Sequence, residues 1–586
     1  MSAIAFLLSF SAFWSSARLE MEETGADEPA GAEQATPETS PRGADNTLSL
    51  FAPALYRSAQ LLLLHGEAEA RGQETKIYIA QILAVMVVGS TVGLTLVKIF
   101  EKNVRFGWIR LRGGHVVVCG LSANGLNLVK EFALGRKQTI AVENRVDNEN
   151  VADAEERGAI VLSEDPAALR TLRSALADRA KYLIAISDDD GVNVEIAVKT
   201  ARVIEESKHT AASPVKCFVH IVDLQLRALF AQHRLLSAGN ARMRTKIFNV
   251  FENSARLLLA SHPPDPFSFG ATDPKAIHLI IFGFGQMGQS VAVQAAKLGH
   301  FANGKKLRIT VIDKDAGAKQ RNFEYHYPFF GDVCDIAFLE WDAEDLGNLQ
   351  KAGELARADG AYSTCAICFD SDTRSLSFAL KLLKCVPSHV AVRVRMRSSG
   401  GFASLLSEHG RERNISGQLT AFGAVSDACT PEMVVNEHLD ALARVIHEDF
   451  VAKRKMERQR ADDDPSMASW ESLNEVFVDS NRQQADHIDV KLRAIACYRG
   501  KECIGNPVEF TVDEIEILAK MEHARWNAER QFSGWSYAPG KKDVDKKTSP
   551  YIVPWDALPE EVKGWDREAV RNISRLLKSS QEYVFR

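Results

Sequence analysis

The sequence predicts an α/β protein: apolar helices at the N-terminus, two parallel-sheet domains in tandem, and a mainly helical C-terminal domain. Three observations predict it. An uncharged run at residues 77–97 (IYIAQILAVMVVGSTVGLTLV) is followed, after 17 residues, by an apolar strand and glycine turn, HVVVCGLSANG. The same strand–glycine–helix pattern returns at residues 276–288, AIHLIIFGFGQMG. Beyond Ala452 the composition changes to a charged stretch and then a tryptophan-rich segment.

The totals set limits. A chain of 586 residues has room for about three or four domains. A net charge of −6 gives no reason to expect nucleic acid as a partner. Nine scattered cysteines fit a reducing compartment better than a disulfide framework. Cys365 and Cys368 form a CxxC, but inside an apolar run (CAICF) that reads as a buried strand, so no metal is expected there.

Residues 1–17 (MSAIAFLLSFSAFWSSA) carry no charge and read as a first membrane helix. A signal peptide with a weak cleavage site at Ser15-Ser16-Ala17 is the alternative. Residues 18–76 read as an outer loop. Its first part is rich in Glu, Ala, Pro and Gly and reads as disordered; residues 49–70 carry a short pore-like helix, too short to span. Residues 77–100 read as a transmembrane helix: the 21 uncharged residues cover roughly 31 Å, one hydrocarbon core. Lys98, Lys102, Arg105, Arg110 and Arg112 follow, and the preceding segment is acidic. The positive-inside rule then puts everything after about residue 100 in the cytoplasm; the membrane expected is a plasma or inner membrane. A linker, residues 101–114, leads to the first sheet domain.

That domain is read at 115–264. Its glycine turn is Gly120-Leu-Ser122-Ala-Asn-Gly125, a GxSxxG with the middle glycine replaced. The next strand, TIAVEN, ends in Glu143, 23 residues after Gly120. Further strands are read at AIVL, YLIAIS and KCFVHIVD, with helical stretches between them. The second domain, 275–451, follows a Pro-rich joint at 262–274. Gly283-Phe-Gly285-Gln-Met-Gly288 is an unbroken GxGxxG, and LRITVID ends in Asp313. Strands are expected at 331–335 (GDVCD) and 363–373 (STCAICFDSDT). Glycines let a backbone approach a pyrophosphate, the helix N-terminus favours its charge, and an acid about 20 residues on accepts ribose hydroxyls. The second domain, with all three glycines, is the better candidate site; Ser122 narrows the first. With a carboxylate at the ribose, NAD or NADH, or another adenosine nucleotide with a free 2′-hydroxyl, is expected over NADP. Lys314, next to Asp313 on a strand, should point away. Arg393, Arg395 and Arg397 alternate with apolar residues and fall on one sheet face or edge, either a solvated edge or an anion site.

Both halves resemble the Trk-type N-terminal nucleotide-binding domain (TrkA-N) of RCK proteins, regulators of potassium conductance. With a span, a short helix and a second span ahead of them, the arrangement resembles the two-span RCK potassium channels. In those, a TVGYG filter replaces the ion's water with carbonyl oxygens. Here the corresponding place reads LLLLHGE, residues 61–67, where only Gly66 matches.

The stretch 452–470 (AKRKMERQRADDDPSMASW) reads as a linker, and 471–586 as the last domain. Glu522, His523, Trp526, Arg530, Gly534, Trp535, Tyr537, Pro550, Pro554, Leu558, Asp566 and Arg567 resemble the ryanodine-receptor repeat, the RyR domain; Ser549 departs from its common histidine. His523, Trp526, Arg530, Trp535, Tyr537 and Trp555 are candidate ligand-binding residues, an aromatic cage for a flat or cationic ligand. The competing reading is a small domain's aromatic core.

No nucleophile elbow, HExxH or Walker loop occurs, so no catalytic residue is assigned. The resemblance implies an ion-channel-like membrane protein of cation or potassium type, a homodimer or homotetramer, regulated by nucleotide on tandem RCK domains, with the RyR domain as a second ligand or interaction module. The alternatives are a non-conducting membrane-anchored nucleotide sensor and an NAD-dependent oxidoreductase.

Overall fold

The computed structural model describes residues 10–16, 53, 55–56, 74–145, 147–209, 213–231, 242–343, 345–398, 400, 418–456, 464–501, 508–543 and 545–586. It divides into two compact units, Met1–Leu111 and Arg112–Arg586.

In the first unit, residues 10–16 are helical, and a continuous helix, Glu74–Arg112, takes in the whole apolar run. That run contains no proline to break it. Among the described residues no helix is long and apolar enough to cross a membrane. Many side chains of residues 77–97 lie outside the described set, as do almost all of residues 49–70, including the filter-like segment 61–67.

The second unit is built on two sheets. The first contains β1 (Val116–Cys119), β2 (Thr139–Val142), β3 (Ile160–Leu162), β4 (Tyr182–Ala185), β5 (Val215–His220) and β6 (Met243–Phe248), in the order β3-β2-β1-β4-β5-β6. All its pairings are parallel. The second contains β7 (Ala276–Phe282), β8 (Arg308–Asp313), β9 (Asp335–Glu340), β10 (Ala361–Ile367), β11 (Ala391–Arg395) and β12 (Leu419–Phe422), in the order β12-β11-β10-β7-β8-β9, again all parallel. Both follow the doubly wound Rossmann order, which reverses beside the first strand and opens a crevice at its carboxyl end. The central strands are buried along their length, as a parallel sheet covered on both faces requires.

Three expectations need correction. Residues 331–335 are not a strand: Phe330–Val333 is a helical turn, and β9 starts at Asp335. A helical turn turns Phe330 and Val333 to the same core, where Phe330 packs on Phe323 and Phe532. β6 and β12 were not expected; β6 (MRTKIF) carries two cations on a partly buried edge. The arginine-bearing β11 is not an edge, because β12 pairs outside it.

The two sheet domains pack through Val250–Ser261 against Gln286–Leu298, and through Val425–Ala428 against Ala123–Leu134. Asn127 Nδ2 donates to the Cys429 carbonyl across that contact. The C-terminal domain is helical, centred on Val512–Phe532. A capping box, Thr511 with Glu514, starts that helix by satisfying two otherwise orphaned amides. Its apolar side belongs to one continuous core that includes the second sheet, from Ala255 to Val584. Buried and half-buried ion pairs fix the junction: Arg256 joins Asp440 and Asp486, Lys297 joins Asp479, and Arg493 joins Asp265. The helix Ala441–Met456 runs into the stretch 452–470, and Met467 and Trp470 beyond it are buried.

Candidate functional site

The first glycine turn connects β1 to the helix Ala123–Leu134. Gly120 has φ +106°, and a Cβ there would sit 2.8 Å from the Ile186 carbonyl oxygen, so glycine is required on both counts. Leu121 N–H donates to Glu143 Oε2 at 2.9 Å, and Asn148 Nδ2 donates to the same oxygen at 3.1 Å. Arg145 lies 3.7 Å from Glu143 Oε1. Ser122 occupies the N-cap but makes no cap bond, and its hydroxyl is buried without a partner. Gly125 is pressed onto the turn, with the Gly120 carbonyl 1.9 Å from where its Cβ would stand.

The second turn repeats this geometry. Gly283 has φ +86°, and Gly288 lies against the Gly283 carbonyl, 2.2 Å from a virtual Cβ. Gly285 is the N-cap of Gln286–Leu298, and a Cβ there would enter open space. Phe284 N–H donates to Asp313 Oδ2 at 2.8 Å. Each acid thus sits within reach of its turn, as a ribose ligand must. Lys319, on the helix Ala316–His326, also reaches Asp313 Oδ2, at 2.5 Å; it was not among the expected site residues. Burial raises the Asp313 pKa, but Lys319 and the N–H groups of Asp315 and Phe284 outweigh it and hold the carboxyl below its usual range. Lys314 is exposed.

Two clefts lie beside these turns. One of about 620 Å³ begins at Gln286, Gln289 and Ser290 and is walled by Asp190 and Asp223 of the first sheet domain and by Asp479 and Glu529 of the C-terminal domain. The other, about 530 Å³, lies at Ala123 and Asn150 and is closed from the second domain by Arg397 and Ser398.

The arginine triplet is divided. Arg393 donates to Thr420 Oγ1, buried Arg395 pairs with Asp370, and only Arg397 is exposed at a cleft. Cys365 lies in β10 and Cys368 directly after it; burial pushes both thiols up to about 12. Among the described residues no cluster of His, Cys, Asp and Glu could hold a metal ion.

The aromatic set of the C-terminal domain is brought together, while Tyr537 is exposed. His523 stacks on Trp526 and meets Trp555. Both its ring nitrogens face partners: Nε2 the Val553 carbonyl at 2.8 Å, Nδ1 Asp566 at 3.3 Å. Arg530 lies over both Trp526 and Trp535, and Lys542 also over Trp535. Trp555 is buried and donates to Glu516. The ring faces that a cationic ligand would use already carry side-chain cations.

Residues 116–214 match the family model of the TrkA-N domain, and residues 510–584 match that of the RyR domain. No curated protein matches the chain. Among solved structures, GsuK bound to ADP is 15% identical with a TM-score of 0.36, covering 72% of this chain and 94% of that chain. GsuK bound to NAD is 14% identical with a TM-score of 0.36, covering 72% and 80%. The human SLO3 gating ring is 10% identical with a TM-score of 0.37, covering 56% and 83%. The fold assignment rests on the strand order rather than on likenesses this distant. Two segments of the chain are thus similar to named domains: a TrkA-N domain on the first sheet, and a RyR domain at the C-terminus.

Proposed function

We propose that the chain is a membrane-anchored, channel-like protein whose cytoplasmic part binds adenosine nucleotides at its two glycine turns. The observation that carries this is the repeated turn: a left-handed glycine, a helix N-terminus, and an acid accepting the turn's own N–H, once in each sheet domain. The TrkA-N match over the first sheet supports the same reading. The cleft at Gln286 is walled by both sheet domains and the C-terminal domain, so a ligand there touches all three. Such a ligand shifts their packing only if it binds one arrangement more tightly than another. The apolar run 77–97 and the basic residues after it support a membrane anchor in a plasma or inner membrane. The resemblance to RCK channels supports a homo-oligomer, and the RyR-like domain at the C-terminus is then a second ligand or interaction module.

A second reading, a sensor that conducts no ions, is favoured by LLLLHGE standing where the channels carry their filter. In both readings the chain binds rather than turns over its nucleotide. Thermal unfolding of the purified chain with ADP and NAD, and ion flux into liposomes with and without them, tests the proposal. Nucleotide-dependent stabilisation with flux supports the channel, and stabilisation without flux the sensor. No stabilisation by either nucleotide would overturn both.

A further inference from the structure

The two crevices differ at one matched position. Ile186 N–H donates to the Cys119 carbonyl at 2.9 Å, and Cys368 N–H donates to the Phe282 carbonyl at 2.8 Å. Ile186 and Cys368 therefore hold the same place beyond the switch-point strands β4 and β10. The next residue is Ser187 in the first domain and Phe369 in the second. Ser187 folds back into its own loop, its hydroxyl 2.9 Å from Asn193 Oδ1. Phe369 lies on the glycine turn: its Cδ1 and Cε1 are 2.8 and 3.2 Å from where a Cβ on Gly283 would stand.

The Phe369 ring is held there. It meets Phe378 edge-on at 5.4 Å, and the Arg374 guanidinium lies over it at 4.8 Å. Its carbonyl accepts from Ser375 Oγ and Arg395 Nη1, and Arg395 is fixed in turn by Asp370. A dinucleotide on this fold lays one nucleoside beside the acid after the second strand and its pyrophosphate on the turn; the other nucleoside crosses the switch point. In the second domain the first half has room, with Asp313 at the ribose position and open space at Gly285. The crossing half meets Phe369.

Building on the nucleotide-binding reading above, we propose that Phe369 restricts the second site to a nucleoside mono- or diphosphate such as ADP, whereas the first site, with Ser187 there, admits a dinucleotide such as NAD. The two turns are then separate sensors of different ligand length.

Calorimetric titration of the purified full chain tests this by stoichiometry. The wild type should bind two ADP but one NAD per chain. Phe369→Ser should raise NAD to two, and Ser187→Phe should lower it to none, with ADP at the second site kept in both. An ADP-dependent rise in melting temperature shows that each variant is folded; if Phe369→Ser lacks it, Phe369→Leu and Ser187→Phe decide. ADP binding with an NAD count that neither substitution changes would overturn the role of Phe369 and leave nucleotide binding standing. Failure of the wild type to bind ADP or NAD would overturn the nucleotide reading itself, and this inference with it.

Discussion

Acidification should loosen the junction between the second sheet domain and the C-terminal domain. His487 is fully buried, and its ring centroid is 6.0 Å from that of His300. His487 Nε2 lies 3.2 Å from the His300 carbonyl, while His487 Nδ1 and His300 Nε2 are buried without a partner. Lys491 and Arg525 stand nearby, both held by Glu522. Burial first, then Arg525 and Lys491, push His300 down to about 3. Burial, Lys491 and His300 push His487 the same way. Both rings are neutral in the folded chain and protonate near the ordinary histidine value, about 6.5, when released. Below that value the open state binds more protons than the folded one. The stabilisation is therefore complete above about pH 6.5 and is lost as pH falls from there towards the folded-state values. At pH 5 the difference for His300 is about 1.5 units, which is about 2 kcal/mol or about 30-fold, and His487 acts in the same sense. Amide hydrogen exchange of the helix Ile488–Ala494, corrected for the intrinsic rate, should show at least this loss of protection between pH 7.5 and 5. Unchanged protection would refute the reasoning, as would an equal loss in the double variant His300→Gln, His487→Asn.

Gly285→Val should lower ADP binding from two per chain to one and shrink, without abolishing, the stabilisation by ADP, because its side chain would fill the open space at the helix N-terminus, while Ser122→Ala should leave both sites; titration and thermal unfolding with and without ADP compare them. Glu522→Gln should lower the first unfolding transition in urea by about 3–5 kcal/mol, since it leaves Lys491 buried beside a neutral partner and Arg525 with Glu529 alone. A cysteine placed at Thr36 should react with an impermeant reagent in intact cells if the proposed topology holds. Protection at Thr36 with labelling near Arg586 would reverse the topology.

The strands legible in the sequence were those buried on both faces. VVVC, IVL and YLIA are apolar throughout, and TIAV and AIHLIIF are broken only by Thr139 and His278, because a covered parallel sheet has no polar face to alternate with. β6 escaped notice because its cations mimic a loop, and Phe330–Val333 because a four-residue window cannot separate a strand from a helical turn. The glycine turns and their acids could be read because their chemistry is local: close approach, a helix N-terminus, a carboxylate one strand away. Lys319 and Phe369 could not, since each acts through a loop or helix that only the folded chain brings to the turn. The arginine triplet shows the reverse failure. Period-two spacing grouped three residues that the fold gives to a hydroxyl, a carboxylate and a cleft.

Lys319 alters the argument about the ribose 2′ position in the second site. With Asp313 alone, a 2′-phosphate would bring negative charge against a carboxylate, and ADP would be preferred over 2′-phospho-ADP. Lys314 stays exposed, but Lys319 approaches Asp313 Oδ2 from the next helix. A phosphate entering there would meet an ammonium as well as the acid, so the penalty shrinks. The lysine side chain is about a third exposed, which limits its effect to about 1 kcal/mol, or about fivefold. Lys319→Met should therefore weaken 2′-phospho-ADP about fivefold relative to ADP, without changing which nucleotides bind. Titrating both ligands into the wild type and the variant, each with Ser122→Val to block the first site at the N-cap of its helix, measures that ratio directly. The first site needs this treatment because Arg145 stands 3.7 Å from Glu143 and would act in the same sense. A ratio unchanged by Lys319→Met would remove Lys319 from ligand discrimination and leave it as a partner that only holds Asp313 ionised.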